Sequence, residues 1–520
     1  MKTYTNPILN ADFPDPDIIR VGDTYYMAST TMHFMPGGDI LRSKNLLDWE
    51  FAGHAFETLE DNDAHTLQNG KQIFGQGMWA PSLRWHKGKF YLTFSCNDTH
   101  KSLLFIAEQA EGPWERVEMG GFYYDSSLFF DEDDRVYIVH GNTTLRLTEL
   151  DPATWGPKEN GLDRVVAVDP PPLDLGYEGS HLYKHAGRYY LFTCHMPHSG
   201  KYLKTEDVLL ADSLTGEFVP KNILDDDMGY RHLGVAQGGM VETPQGDWYL
   251  FMFQDRGALG RAPMLLPMHF DGQGYPAADT DAAGELLWTL TPPRGTQEQM
   301  GGTVCGNAFL VKNENGRETL APWWQFSHNP DPAHYSFTAR PGALRITTGQ
   351  CSPNLVLARN VLTQRCLGPK SAAWVTVDGA SLREGDYAGI CAYENCYGAI
   401  ALTRQNGALR LVMLGRPADK ETIFGDFDYP QAPVQYADVP CAGERLTLRV
   451  AADFTVAPDR AAFAYRLAQG AAWAPLGAAQ KLYFKMDFFT GCRFGLFCYA
   501  TRQAGGGADF TDFTIIREEG

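Results

Sequence analysis

No apolar run in the 520-residue chain approaches the ~18 residues of a membrane-crossing helix. The opening MKTYTNPILN lacks the basic stretch and apolar core of a secretory signal, so a cytoplasmic location is expected of the sequence as it stands. Cationic side chains are also scarce: 44 Lys and Arg against 63 Asp and Glu leave a net charge of -19. Nucleic acid and anionic membranes are recognised through basic surfaces, so the balance argues against both as partners and leaves neutral or cationic ligands open. Cysteine is thin, ten residues without a C-x-x-C pair, and no spacing matches a zinc pattern. Reduced, buried thiols are expected rather than a disulfide framework.

What is present is a repeat. DTYYM at 23, GKFYL at 88, DRVYI at 134, GRYYL at 187 and GDWYL at 246 each run turn residue, variable, apolar, Tyr, aliphatic. A second short apolar stretch lies just upstream of each: DIIRV, SLRWH, SLFFD, HLYKH and GMVET. Two short strands joined by a tight polar turn make a hairpin. The copies are about 46 to 65 residues apart, which leaves room for two more strands each, the size of a propeller blade. One such sheet cannot bury both faces, so the blades must stack around an axis. Residues 1–300 are therefore predicted to form a five-bladed β-propeller; a β-sandwich with chance similarity among its hairpins is the rival topology.

FPDPDII, residues 13–19, would by itself be turn chemistry, Asp accepting backbone bonds and Pro fixing φ. The repeat register gives it another meaning. Nine residues back from the turn residue stand Trp79, Asp125, Glu178 and Gln237, and eight back in the first copy stands Asp15. If the first strand of every blade lines the axis, these five side chains ring one central opening. Crowded carboxylates raise one another's pKa at a cost in stability, so three acids at matched positions point to a task.

NPILNADFPDPDIIRVGDTYYMASTTMHFMPGGDILRSKNLLDWE, followed by GMWAPSLRWHKGKFY, DSSLFFDEDD and YEGSHLYKHAGRYYLF, resembles glycoside hydrolase family 43, the β-xylosidases and α-L-arabinofuranosidases. The resemblance implies a five-bladed propeller and assigns the general base to Asp15, with Asp17, where the family often has Ser, as the weaker alternative. It makes Asp125 the residue that tunes and orients the acid, although Ser126 replaces the usual Pro, and makes Glu178 the general acid, with Ser180 in place of Pro. Trp79 matches a Trp that lines the sugar pocket, and Arg261 in GALGRAPML matches an active-site Arg. Many members carry a His at the axis, often near bound calcium or water; this chain has Gln237, which puts Ca2+ at the axis in doubt, and no cofactor is required.

Glycosidic hydrolysis needs one carboxyl to protonate the leaving oxygen and another to activate water on the opposite face; in an inverting enzyme they stand roughly 6.5 to 9.5 Å apart. Asp15 is expected ionised and Glu178 protonated, its pKa raised by Asp125 or an apolar wall. Met32, His33 and Phe34 of TTMHFMPGG are candidate pocket wall, while His195 and His198 of CHMPHSG are expected in a solvated loop.

LTPPRGTQEQMGGT, 290–303, reads as a domain boundary, and residues 301–520 alternate in short segments such as GALRLVML with little helical periodicity, a β-sandwich pattern. The resemblance makes it a concanavalin-like sandwich packed near the pocket mouth. APWWQF, 321–326, reads as interdomain core rather than a sugar platform, because Trp is usually mostly buried. The expected function is an exo-acting inverting hydrolase of terminal β-D-xylosyl or α-L-arabinofuranosyl residues, acting on hemicellulose-derived oligosaccharides, with an oligomer left open. A non-catalytic carbohydrate-binding propeller and a retaining propeller glycosidase are the alternatives.

Overall fold

The computed structural model describes residues 3–198, 203–296, 303–313, 315–417, 430–441, 443–484, 486 and 488–518. The domain boundary expected at 300/301 falls at 297–302, outside them. Among the described residues there is no α-helix, only two 3₁₀ turns, Gly257–Leu259 and Pro332–His334.

Five antiparallel sheets account for the repeat. Blade 1 takes Asp17–Val21, Thr24–Ser29, Gly37–Ser43 and Glu50–Phe56; blade 2 takes Met78–His86, Lys89–Cys96, Lys101–Ala107 and Glu115–Glu118. Blade 3 is Ser127–Phe130, Val136–His140 and Thr144–Asp151, with both Gly156–Pro157 and Asp163–Val168 on its third strand. Blade 4 is Leu173–His185, Arg188–Pro197, Thr205–Ala211 and Val219–Leu224; blade 5 is Val235–Glu242, Trp248–Asp255, Arg261–Phe270 and Pro276–Ala278. In every blade the repeated Tyr motif starts the second strand. In blades 2 and 4 the hairpin turns on two left-handed residues, Lys87–Gly88 and Ala186–Gly187, whose twist suits a tight antiparallel pair. The ring is joined where Tyr4–Thr5 pairs with Thr289–Leu290 and where Arg20 Nε of blade 1 donates to Glu242 O of blade 5 at 2.6 Å.

Among the described residues the remainder forms a two-stranded hairpin, Leu310–Lys312 with Glu318–Leu320, and two eight-stranded sheets face to face. Ile390, Leu496, Val375, Leu448 and Phe510 from the two inner faces share one core, as the alternating segments require. Phe34–Met35, from a propeller loop, is the edge strand of one sheet, with Met35 opposite Phe326 and Phe34 opposite Ser327. Trp324 is wholly buried in the sandwich core, and Trp323 packs against both that core and the blade 1–blade 5 cluster. Arg365 binds Asp39 and the Asp12 carbonyl, and Gln325 Nε2 donates to Asp39 Oδ1 at 2.9 Å, so buried polar bonds cross the same junction.

Candidate active site

In or just before each blade's first strand the backbone passes through one left-handed residue: Asp15 (φ 50°), Ala80 (44°), Asp125 (45°), Gly179 (65°) and Gln237 (54°). Four are not glycine, and such conformations are kept where surrounding structure over-determines them, commonly at functional sites. Blades 2, 4 and 5 shift register there, between Trp79 and Ser82, Glu178 and His181, and Ala236 and Gly239. Trp79 and Glu178 therefore precede the left-handed residue, whereas Asp15, Asp125 and Gln237 occupy it. A Cβ at Gly179 would lie 2.6 Å from Gln237 Cγ, so a larger residue there would displace the Gln237 side chain.

These strand starts enclose one cavity of about 230 Å³, lined by Asp15, Trp79, Asp125, Glu178, Gln237 and Arg261 together with Tyr124, Leu175, Met486 and Phe489. Arg261, at the head of blade 5's third strand, binds Asp15 Oδ1 through Nη1 and Asp255 Oδ1 through Nε at 3.0 Å. Thr30 Oγ1 donates to Asp15 Oδ2 at 2.6 Å and accepts from Ala80 N at 2.8 Å, tying Asp15 to blade 2. The Arg261 guanidinium lies 3.7 Å from the Phe489 ring centroid and 4.6 Å from that of Phe253, and Trp79 meets Phe489 edge-on at 5.0 Å. Trp79 Nε1 donates to Gly75 O at 3.0 Å.

Burial, then the charges of Glu178 and Asp15, hold Asp125 well above the ordinary carboxyl range. Burial also raises Glu178, against the pull of Lys204, Arg261 and the Asn142 amide, whose Nδ2 donates to Glu178 Oε2 at 2.8 Å. Burial is the leading cause, and the carboxylate whose charge adds to it is Asp15 rather than the Asp125 invoked from sequence. One carboxyl is thus clasped by a cation, and two others share an enclosure that disfavours their joint ionisation.

Other sequence-derived residues lie elsewhere. Asp17 is fully buried, accepting from Leu83 N at 2.8 Å and pairing with Arg84 and His181, outside the cavity lining. Met32, His33 and Phe34 are not on the cavity wall but wholly buried in the cluster shared with the sandwich, where His33 packs 4.3 Å from both Phe34 and Phe74. An apolar run packs equally well against a ligand or a neighbouring domain, so composition could not separate the two. His195 is not in a loop: it lies buried in Arg188–Pro197, 2.9 Å from Asp169 and 3.6 Å from Asp207. His198 is exposed beside Asp174. Gln237 takes Glu206 Oε2 on its backbone N–H, and no group of three or more His, Cys, Asp or Glu among the described residues is arranged to hold a metal.

Tyr124, Leu175, Met486 and Phe489 were missed from sequence. Tyr124 adjoins Asp125 and could have been found from it; KMDFFT, which holds Met486 and Phe489, carries no repeat signal.

Fold and cavity together define a carboxylate-lined propeller of the glycoside hydrolase kind, carrying a C-terminal sandwich. The chain belongs to glycosyl hydrolases family 43, whose model matches residues 4–276, and residues 314–515 match the β-xylosidase C-terminal concanavalin A-like domain. It is 28% identical to a β-xylosidase of Formosa agariphila over 413 residues, 73% of this chain and 66% of that protein. A non-reducing end α-L-arabinofuranosidase of Bacteroides ovatus is 28% identical over 368 residues, 66% of this chain and 65% of that one. Among solved structures, the bifunctional GH43-CE protein of Bacteroides eggerthii superposes with a TM-score of 0.90 at 36% identity, covering 100% of this chain and 64% of that one. The chain thus spans just under two thirds of the length of these relatives.

Proposed function

We propose that the protein is an exo-acting, inverting glycoside hydrolase that releases terminal β-D-xylosyl or α-L-arabinofuranosyl residues from hemicellulose-derived oligosaccharides. The observation that carries this reading is that Asp15 and Glu178 line one cavity, Asp15 paired with Arg261 and Glu178 raised by burial. Asp15, paired with Arg261, takes a proton from water as that water attacks the anomeric carbon. Glu178, protonated, gives its proton to the leaving oxygen. Asp125 keeps that proton on the pair until it is needed. Bulk water then returns Glu178 to its acid form and removes the proton from Asp15.

An exo mode is supported by the cavity's size and by Phe489 and Met486, which wall it from the sandwich side and leave room for one terminal sugar rather than a chain running through. The relatives' names, β-xylosidase and α-L-arabinofuranosidase, support the two sugars. No cofactor enters the steps.

A panel of p-nitrophenyl glycosides tests the reading. Cleavage of the β-D-xyloside or α-L-arabinofuranoside, lost in Asp15→Asn, is expected; a protein that binds xylo-oligosaccharides yet cleaves none of the panel would instead be a carbohydrate-binding propeller.

A further inference from the structure

The turn between the second and third strands of blade 3 does more than reverse the chain. Gly141 N donates to Tyr124 O at 2.9 Å and Thr143 N donates to Tyr177 O at 2.8 Å, so the turn is bonded to the residues immediately before Asp125 and Glu178. Asp169 N closes the other side on Thr143 O at 2.9 Å. The backbone is forced: Gly141 has φ 126° with no room for a Cβ, which would sit 2.2 Å from Thr144 O, and Thr143 has φ 63° although β-branched. Gly176 is equally tight, since its Cβ would fall 2.1 Å from Thr143 Oγ1. A β-branched residue in the left-handed region is costly and persists where neighbours over-determine it.

That constraint presents Asn142. Thr143 Oγ1 donates to Asn142 Oδ1 at 3.0 Å, which fixes the amide with its N–H₂ toward Glu178, and Nδ2 donates to Oε2 at 2.8 Å. Asn142 is not among the cavity-lining residues, so it acts through Glu178 rather than on a sugar. We propose that Asn142 is the positioning residue of the general acid, holding one Glu178 oxygen so that the other faces the leaving group and stabilising the carboxylate that remains when the proton departs. The assignment rests on Glu178 being the acid.

An uncharged donor suits this task. The groups facing Glu178 are Asp15 and Asp125, which oppose its ionisation, Tyr124 and Cys194, neutral at working pH, and Lys204 and Arg261, which favour ionisation. A Lys or Arg at 142 would add a third cation, and an Asp would add a third anion. The amide supplies a hydrogen bond that strengthens as charge develops, without either.

Two variants test this, Asn142→Ala and the near-isosteric Asn142→Asp, with folding checked by denaturant midpoint. The first readout needs no turnover: the Glu178 carboxyl ¹³C resonance, assigned by its loss in Glu178→Gln, is titrated in each protein. Its midpoint is expected to rise by about one pH unit in Asn142→Ala, the worth of a hydrogen bond to a charged group, and further in Asn142→Asp. The second is kinetic: kcat for aryl glycosides is expected to fall roughly tenfold for poor leaving groups, with little change for good ones and little in KM. An unmoved midpoint in folded variants overturns the role of Asn142. A moved midpoint in a protein that cleaves no glycoside would uphold the coupling of Asn142 to Glu178 while sinking the hydrolase reading and, with it, the positioning of an acid.

Discussion

Arg261 and Phe489 lie face to face across the junction of propeller and sandwich, guanidinium carbon 3.7 Å from ring centroid, while the same guanidinium binds Asp15. The sandwich therefore touches the proposed base through one intermediary. Removing the ring by Phe489→Ala forfeits a partly desolvated cation–π contact worth about 1–2 kcal/mol and opens the cavity wall. A loss of roughly 5- to 30-fold in kcat/KM follows from that energy. Steady-state kinetics on a p-nitrophenyl glycoside measure it; an unchanged kcat/KM would mean that the sandwich has no part in the site.

Glu178→Ala separates proton donation from binding. A nitrophenolate leaves without a proton, whereas a sugar alkoxide does not, so activity on xylobiose should fall about 10²–10⁴-fold and activity on activated aryl glycosides much less. Equal losses on both substrates would remove the acid role.

Asp125→Asn should move the alkaline limb of kcat/KM. Asp125 and Glu178 titrate as a pair, and like charge delays departure of the last proton. With a neutral amide at 125 that delay disappears, Glu178 loses its proton at lower pH, and the alkaline limb shifts toward acid. A lowered rate with an unshifted limb would confine Asp125 to orientation.

The central ring was legible in the sequence for a geometric reason. A repeat of fixed strand order places the start of each first strand at an equivalent angle around an axis, so counting back from Tyr motifs gathers Asp15, Trp79, Asp125, Glu178 and Gln237 without any contact information. Small offsets escaped the count, because a bulge adds a residue without changing the motif; hence Trp79 and Glu178 sit one position away from the left-handed residue. Phe489 and Met486 were beyond reach, since nothing local in KMDFFT says which cavity a distant sandwich segment will close. The strand Phe34–Met35 escaped similarly: two residues are too few to show strand alternation, and their pairing with Phe326 and Ser327 is purely tertiary. Asn142 was hidden because its role depends on a turn bonded to the lead-in of its own blade's first strand and to blade 4.

The junction itself should behave as one cooperative unit. Arg365, 1% exposed, binds buried Asp39 and the Asp12 carbonyl, and Arg365→Met would leave Asp39 short of its cation, a loss of about 3–5 kcal/mol. Urea unfolding followed by both tryptophan fluorescence and circular dichroism should show one transition in the parent and a lowered midpoint in the variant. Two separated transitions in the parent would contradict the coupling.

Acid should weaken the fold partly through His140. Burial holds its imidazole down at about 4, below the ordinary 6.5. Between those values the unfolded chain binds a proton that the folded chain does not, so stability is full above about 6.5 and falls as pH drops toward about 4. From pH 7 to 5 this site accounts for about 2 kcal/mol. Asn at 140 cannot titrate, so the pH 7-to-5 loss in His140→Asn should be smaller by that amount; an identical loss would place the acid sensitivity elsewhere.

The stereochemistry of the released sugar tests most directly whether Asp15 activates water while Glu178 protonates the leaving oxygen. Proton NMR during the first minutes of p-nitrophenyl β-D-xyloside hydrolysis should show α-xylose first, with β-xylose appearing only as mutarotation proceeds. β-Xylose as the first product would mean a covalent intermediate on a carboxylate and would contradict this division of labour.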